Sequence, residues 1–277
     1  MCLIVFSWQP DSDTPLVLLA NRDEFFERPA EPMHWWHDRP DVLAGRDLRG
    51  GGTWMGVNCT GRFAALTNFR DGHAPMAPKD APSRGLLVSA MLDATSFGDD
   101  LSRIERHAHE YAGFNLLAGD LPAGNLFWLG NRADHVGGHV CVPHAAPIAH
   151  AIAPGIHGLS NAVLDTPWPK LISRRDALAS ALSQNADDAT LLQIMRDTVQ
   201  APDDALPETG VSREWERSLS ATFIASPAYG TRCTTLLRYH RSGRIDMVEV
   251  TVTPGQLPNV LSDRRDFSFV AAPPPRT

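Results

Sequence analysis

The chain opens on two short, almost wholly apolar runs, LIVFSW over residues 3–8 and LVLLA over 16–20, separated by the polar stretch QPDSDTP. These runs lack the alternation of a half-exposed strand, so they predict a hairpin whose strands are covered on both faces. The second run stops abruptly at Asn21-Arg22-Asp23-Glu24. Three charged side chains directly after a buried strand must lie at a sheet edge, in a cleft or in solvent. The following ERPAEPMHWWHDRP predicts irregular backbone, because its prolines interrupt any ladder or helix. GGGTWMGVNCTGRFAALTNF then reads as a second hairpin, Thr53–Val57 and Phe63–Thr67 around a Cys-Thr-Gly turn.

Farther along, Ser83 before RGLLVSAML predicts a helix with serine as its N-cap, and residues 99–111 a second helical piece. From residue 114 the pattern is β again: FNLLAGD, NLFWLG and DHVGGHV, with one or two more strands over Ile148–Asn161. Residues 169–199 predict two helices, one with Pro169 at its first position. A polar loop over 200–217 leads to three closing strands, TFIAS, TTLLRYH and RIDMVEVTV, and a tail, PPPRT, expected to fray. Strands, helices, strands, helices and strands follow one another without a linker or an internal repeat. This predicts one α+β domain over residues 1–277 with helices segregated onto sheet faces.

Composition narrows the function classes. The 277 residues are 43% hydrophobic and 21% charged, as in ordinary globular proteins. A formal net charge of −7 with scattered basic residues argues against nucleic-acid binding. The cysteines at 2, 59, 141 and 233 form no CxxC pair, which argues against a zinc knuckle or a disulfide framework. His34/His37 and His107/His109 have no second ligand pair, so no metal site is expected. MCLIVFSWQP has no basic segment before its apolar run, and no stretch reaches the roughly 18 apolar residues that span a bilayer. A cytoplasmic protein with no integral membrane segment is expected.

Candidate chemistry begins at Cys2. Removal of Met1 is expected because residue 2 is small, and the mature chain would then begin with cysteine. Such a residue joins a thiol, titrating near ~8.5, to an α-amine near ~7.7–8.0 that can serve as its base. The bland alternative is a small buried residue in a first strand. Antiparallel pairing sets the start of one hairpin strand beside the end of the next, so Asn21, Arg22, Asp23 and Glu24 should lie near Cys2. A carboxylate there could hold the α-ammonium, and an arginine could depress the thiol pKa. Asn68 and Asn161 end apolar segments, where an amide donates to an oxyanion or simply closes a turn. Arg232 precedes a strand and is a candidate for binding a substrate carboxylate or phosphate, or a plain surface residue. Trp35, Trp36 and Trp54 are candidates for a hydrophobic pocket wall, with at least one in the core. Gly50-Gly51-Gly52 lacks the lysine and helix of a phosphate loop and reads as a tight strand entry.

MCLIVF, LLANRDEFFERPA, LAGRDLRGGGTWMGV, GRFAALTNFRD and SRGLLV, in this order, closely resemble the NRDE family, which takes its name from the 21–24 tetrad and includes the transport and Golgi organisation protein 2 homologues. The resemblance implies the N-terminal nucleophile hydrolase fold, a four-layer αββα sandwich. More distantly it implies likeness to choloylglycine hydrolases and penicillin V acylases. On that likeness Cys2 is the nucleophile, the Asn21–Glu24 group orients it, and Asn68 and Asn161 serve the oxyanion. Either Asp23 or Glu24 takes the carboxylate role. Arg232 corresponds only by region to an arginine the acylases carry late in the chain. The expected activity is amidohydrolysis of a linear, non-peptide C–N bond in a small molecule. The alternative is a non-catalytic carrier of a hydrophobic ligand, an acyl chain or haem, since eukaryotic members are linked to membrane trafficking and haem movement. No cofactor is expected; haem, as a ligand, would need an axial histidine or cysteine.

Overall fold

The computed structural model describes residues 2–74, 81–93, 95–132, 135–136, 139–140, 147–253, 255 and 263–272. Met1, Cys141 and the tail PPPRT lie outside them, as does part of DHVGGHV. The strands are β1 (Cys2–Trp8), β2 (Leu16–Phe25), β3 (Ala30–Trp35), β4 (Val42–Asp47), β5 (Met55–Asn58), β6 (Arg62–Asn68), β7 (Phe114–Asp120), β8 (Asn125–Gly130), β9 (His135–Val136), β10 (His139–Val140), β11 (His150–Ala151), β12 (Gly155–Leu159), β13 (Tyr229–Tyr239), β14 (Arg244–Thr251) and β15 (Arg264–Val270). The helices are α1 (Gly85–Leu92), α2 (Phe97–His107), α3 (Pro169–Ser183), α4 (Asp188–Ile194) and α5 (Arg213–Leu219).

Among the described residues two antiparallel sheets stack face to face, in the orders β12-β1-β2-β13-β14-β15 and β11-β8-β7-β6-β5-β4-β3. Ile4, Phe6 and Leu18 from the first sheet meet Met55, Val57, Phe63 and Leu117 from the second in the central core. The outer face of the first sheet, Leu3, Val5, Val17 and Leu19, carries α3 and α4 through Leu171, Leu178, Leu191 and Leu192. The outer face of the second carries α1 and α2 through Leu87, Val88, Met91, Leu101 and Ile104. This is the four-layer αββα arrangement that the resemblance implies. Both faces of β1 and β2 are covered, which is why their sequences read as continuous apolar runs.

Local expectations fail in five places. The Pro-rich segment after residue 27 is not irregular throughout: it forms β3. That strand lies at the sheet edge and breaks register between Glu31 and His34, where Pro32 withholds no needed ladder donor. The amide of Met33 instead donates to Glu249 at 2.6 Å. Helix α1 is capped by Arg84, not Ser83, whose carbonyl accepts from Leu86 at 3.0 Å in the entering turn. The polar loop over 200–217 runs into α5, with Ser212 as N-cap accepting from Trp215, and Glu214 and Glu216 in its first turn. Seven residues are too few to display helical periodicity. TFIAS is not a ladder strand: Ala225 makes an isolated bridge to Gly230, and Ile224 packs with Leu219, Ala221 and Tyr229. Finally, β15 supplies the third closing strand, turning Phe267 and Phe269 onto the central core in strict alternation.

One backbone approach shapes the site. A Cβ on Gly52 would lie 2.4 Å from the backbone of Gly85, so only glycine lets the turn after β4 touch the start of α1. Gly52→Ala is expected to lower stability by about 1–3 kcal/mol, because a rigid backbone must retreat. Chemical denaturation reads this directly as a lower midpoint at unchanged slope.

Candidate active site

The hairpin register delivers the first cysteine to a cleft. Cys2 pairs with Arg22, and Leu3 with Asn21. Alternation therefore puts Cys2, Arg22 and Glu24 on the inter-sheet side and Asn21 on the helix side. A cavity of about 480 Å³ opens where the two sheets part. Cys2, Arg22, Asp23 and Glu24 contribute from the first sheet, and Trp54, Leu66 and Asn68 from the second. The loop after β4 and the start of α1 close its side with Asp47, Arg49, Gly50, Ser83 and Arg84. Among the predicted site residues the fold thus brings together Cys2, Arg22, Asp23, Glu24, Trp54 and Asn68.

Each is held by identifiable contacts. The Arg22 guanidinium stacks 4.1 Å from the Trp54 ring centre and lies 3.9 Å from Asp47. Asp47 is fixed by Arg28 at 2.7 Å and accepts the amides of Arg49 and Gly50. Burial raises its carboxyl pKa, but the Gly50 amide and Arg28 outweigh that and leave it low. Asp23 turns toward Thr231, whose hydroxyl donates to it at 2.8 Å. Burial pushes the Asp23 carboxyl up to about 6, against the opposing pull of the chain's amino-terminal charge and Lys170. Glu24 lies 3.9 Å from Arg28.

Three predicted residues lie elsewhere. Asn21 is a buried fastener: its amide donates to the carbonyls of Met195 and Thr222, each at 2.9 Å, and it accepts from Thr234 at 2.8 Å. Asn161 stands behind the cavity wall, donating to the Asn68 carbonyl at 2.9 Å and accepting from Arg70 at 3.2 Å. Arg232 is the extra residue of a bulge where β13 passes Asp23 and Arg22. Its guanidinium donates to the carbonyls of Phe25 and Arg28, clamping the chain after β2. Of the tryptophans, Trp36 is buried in the core, while Trp54 lines the cavity.

Sequence reasoning misses the polar support under the site. Arg70 and Glu216 form a buried ion pair at 2.5 Å, with Arg70 also 4.9 Å from the Trp168 ring centre. Lys170 is buried and donates to the Leu219 carbonyl at 2.7 Å. Burial, reinforced by Arg70, lowers its pKa to about 7. Tyr229 donates to the Asp23 carbonyl at 3.2 Å. Arg70 and Arg84 do lie inside the motifs GRFAALTNFRD and SRGLLV, the one signal that could have found them. Lys170 and Glu216 sit on helices, where a charged residue reads by default as solvated.

Burial pushes the Cys2 thiol above its usual range, with the chain's amino-terminal charge and Arg22 opposing and Asp23 pushing the same way. Alkylation of Cys2 by iodoacetamide is accordingly expected to rise with a midpoint above about 8.5, the ordinary thiol value. Asp23→Asn moves that midpoint down and Arg22→Gln moves it up. A midpoint at or below the ordinary value in the unmodified chain contradicts this electrostatic picture.

Among the described residues no group of three His, Cys, Asp or Glu side chains could hold a metal ion, and no helix is long and apolar enough to cross a membrane.

Fold and site together define an αββα-sandwich protein whose first strand presents a cysteine to an arginine-lined cleft between its sheets. The chain belongs to the transport and Golgi organisation 2 family, whose model matches residues 1–254. It is 34% identical to the transport and Golgi organization protein 2 homolog of Bos taurus over 90% of this chain and 92% of that protein. The Homo sapiens homolog is 31% identical over the same shares, and the Drosophila melanogaster protein 21% identical over 91% and 93%. Among solved structures, the chain is similar to a Caenorhabditis elegans N-acylethanolamine-hydrolyzing acid amidase ortholog, with TM-score 0.48 and 7% identity over 85% of this chain and 92% of that one. It is also similar to the C2A mutant of conjugated bile acid hydrolase from Clostridium perfringens, with TM-score 0.44 and 9% identity over 98% and 92%.

Proposed function

We propose that this protein is an amidohydrolase that cleaves a linear, non-peptide C–N bond of a small molecule with Cys2 as its nucleophile. The observation that carries the reading is the convergence of Cys2, Arg22, Asp23 and Asn68 on one cavity from two different sheets. In the proposed reaction Met1 has been removed and the Cys2 thiol gives its proton to its own α-amine. The thiolate attacks the carbonyl carbon, and the tetrahedral oxyanion is met by the Asn68 amide. The C–N bond breaks, the α-ammonium returns the proton to the leaving amine, and water then hydrolyses the thioester to the free acid. Asp23 takes the carboxylate role here by holding the ammonium, for which its buried position and its Thr231 contact suit it. Arg22 sits beside the thiol and favours the thiolate. Glu24 and Arg28 sit at the cavity wall beside them, while Asn161 acts indirectly through the Asn68 backbone. A reducing, cytoplasmic setting, in which Cys2 stays a free thiol, is part of this proposal.

Intact-mass spectrometry of the protein as made in cells tests the first requirement: Met1 must be absent. Incubation with a series of N-acyl aminomethylcoumarin amides tests the second. Fluorophore release together with an acyl adduct on the peptide that begins with Cys2 supports the reading. Retention of Met1 overturns it.

A carrier role is the second reading, favoured by the size of the cavity, which lies within the range of small-ligand sites. Its haem version takes the Cys2 sulfur as axial ligand, because histidine is not among the described residues that line the cavity. Titration with haemin that gives no saturable Soret shift, or one unchanged in Cys2→Ala, rejects that version.

A further inference from the structure

We propose that the ligand of this cleft carries a carboxylate close to the carbonyl facing Cys2, and that Arg84 is the residue that receives it. The inference deepens the amidohydrolase reading by naming a substrate class, but how the ligand is held does not depend on turnover.

Four arginines and three carboxylates line the cavity, which leaves one positive charge in excess. The contacts show where that charge resides. Arg28 is engaged with Asp47 at 2.7 Å and Glu24 at 3.9 Å. Arg22 shares Asp47 at 3.9 Å and is stacked on Trp54. Arg49, at the rim, lies 4.0 Å from Glu27. Arg84 differs: its Nη1 donates to the Gly113 carbonyl at 3.0 Å, and among the described residues no carboxylate lies within ion-pair distance. A guanidinium has five N–H donors in a planar fork, so most of its capacity is left to face the cavity.

Its position is fixed rather than floppy. The Arg84 backbone begins α1, where Gly52 and Gly85 touch, and the Gly113 carbonyl anchors one arm of the fork. An anchored, partly desolvated guanidinium is pre-organised for a planar two-oxygen anion. A carboxylate fits better than a phosphate dianion, because Glu24 and Asp47 share the cavity and would repel the second charge. Trp54, Leu66, Pro82 and Ala112 offer the remainder of such a ligand an apolar wall.

Cys2 itself is the reporter. Iodoacetate and iodoacetamide react identically, the thiolate forming an S–C bond as the C–I bond breaks and iodide leaves, but only the first carries a carboxylate. Rates at Cys2 and Cys59 in the purified full chain are followed by peptide mass spectrometry. Any change in thiol pKa alters both reagents equally and cancels in their ratio. The iodoacetate-to-iodoacetamide ratio at Cys2 is expected to fall by about tenfold in Arg84→Gln, the size of one charge-assisted hydrogen bond, while the ratio at Cys59, whose thiol lies against the Asp41 carboxylate, stays unchanged. Arg84→Lys, which keeps the charge without the fork, retains part of the preference at Cys2. With the unmodified chain alone, butyrate slows iodoacetamide labelling of Cys2 saturably and butyramide does not. Equal ratios at Cys2 in the unmodified and Arg84→Gln chains, or no protection by butyrate, overturn the proposal. Stronger protection by inorganic phosphate overturns its carboxylate assignment. These outcomes are separate from the hydrolase reading: an active enzyme without iodoacetate preference removes only this inference, and a preference without turnover removes only the other.

Discussion

Replacing Cys2 with alanine is expected to abolish cleavage of every amide the protein turns over, by about 10⁶ in kcat, the loss seen when a serine protease is stripped of its nucleophile. Cys2 is the residue of β1 that reaches the cavity, and its neighbour across the ladder is Arg22. Among the described residues that line the cavity, no other carries a thiol. Cys2→Ser retains an attacking atom but one far harder to deprotonate, so its rate should fall nearly as far. Asn68→Ala loses about 10²–10³, as expected of one oxyanion donor. Both Cys2 variants should keep the stability of the parent chain, since a partly buried thiol at the end of a strand packs little volume. Full turnover by processed Cys2→Ala and Cys2→Ser proteins would sink the mechanism.

Glu216→Ala is expected to cost about 3–5 kcal/mol of stability, because it strands the buried Arg70 charge without its partner. For a chain of this size that corresponds to a fall in Tm of roughly 10 °C, readable by scanning calorimetry. Glu216 also accepts the amide and hydroxyl of Thr209 at 2.9 and 2.6 Å, so α5 and the loop before it lose their tie together. The effect reaches the site, because Arg70 holds Asn161 and Asn161 holds the Asn68 backbone. Replacing both members, Arg70→Met with Glu216→Leu, should recover most of the stability, because the cost lies in the unpaired charge. A loss below about 1 kcal/mol in Glu216→Ala would show that the pair is not what secures this end of the fold.

Much of the architecture could be read from local pattern. The double-sided burial of β1 and β2, the hairpin of β5 and β6, and the pairing of Cys2 with the end of β2 all follow from apolar runs and turn residues. The edge position of β3 and its register break excuse Pro32, and no linear pattern states which strand is an edge. TFIAS is apolar because Phe223 and Ile224 are buried, Ile224 against Leu219, Ala221 and Tyr229, and apolar content alone does not separate such packing from a strand.

The sequence by itself determined the candidates for the proposed chemistry: an early cysteine, the Asn21–Glu24 group one strand later, and Asn68 at the end of β6. Period-two alternation and antiparallel pairing are short-range rules, so they bring Cys2 beside the end of β2 without knowledge of the remaining chain, whereas Asn68 arrives from the other sheet. Only the tertiary structure decided which of them share the cleft. It turned Asn21 toward the helices, set Asn161 behind Asn68 and made Arg232 a clamp on the backbone. It also joined Arg70 to Glu216, 146 positions apart, and left Arg84 at the cavity with no ion-pair partner among the described residues. These outcomes depend on which groups are desolvated together and which charges find partners, and both are properties of packed layers rather than of neighbouring residues.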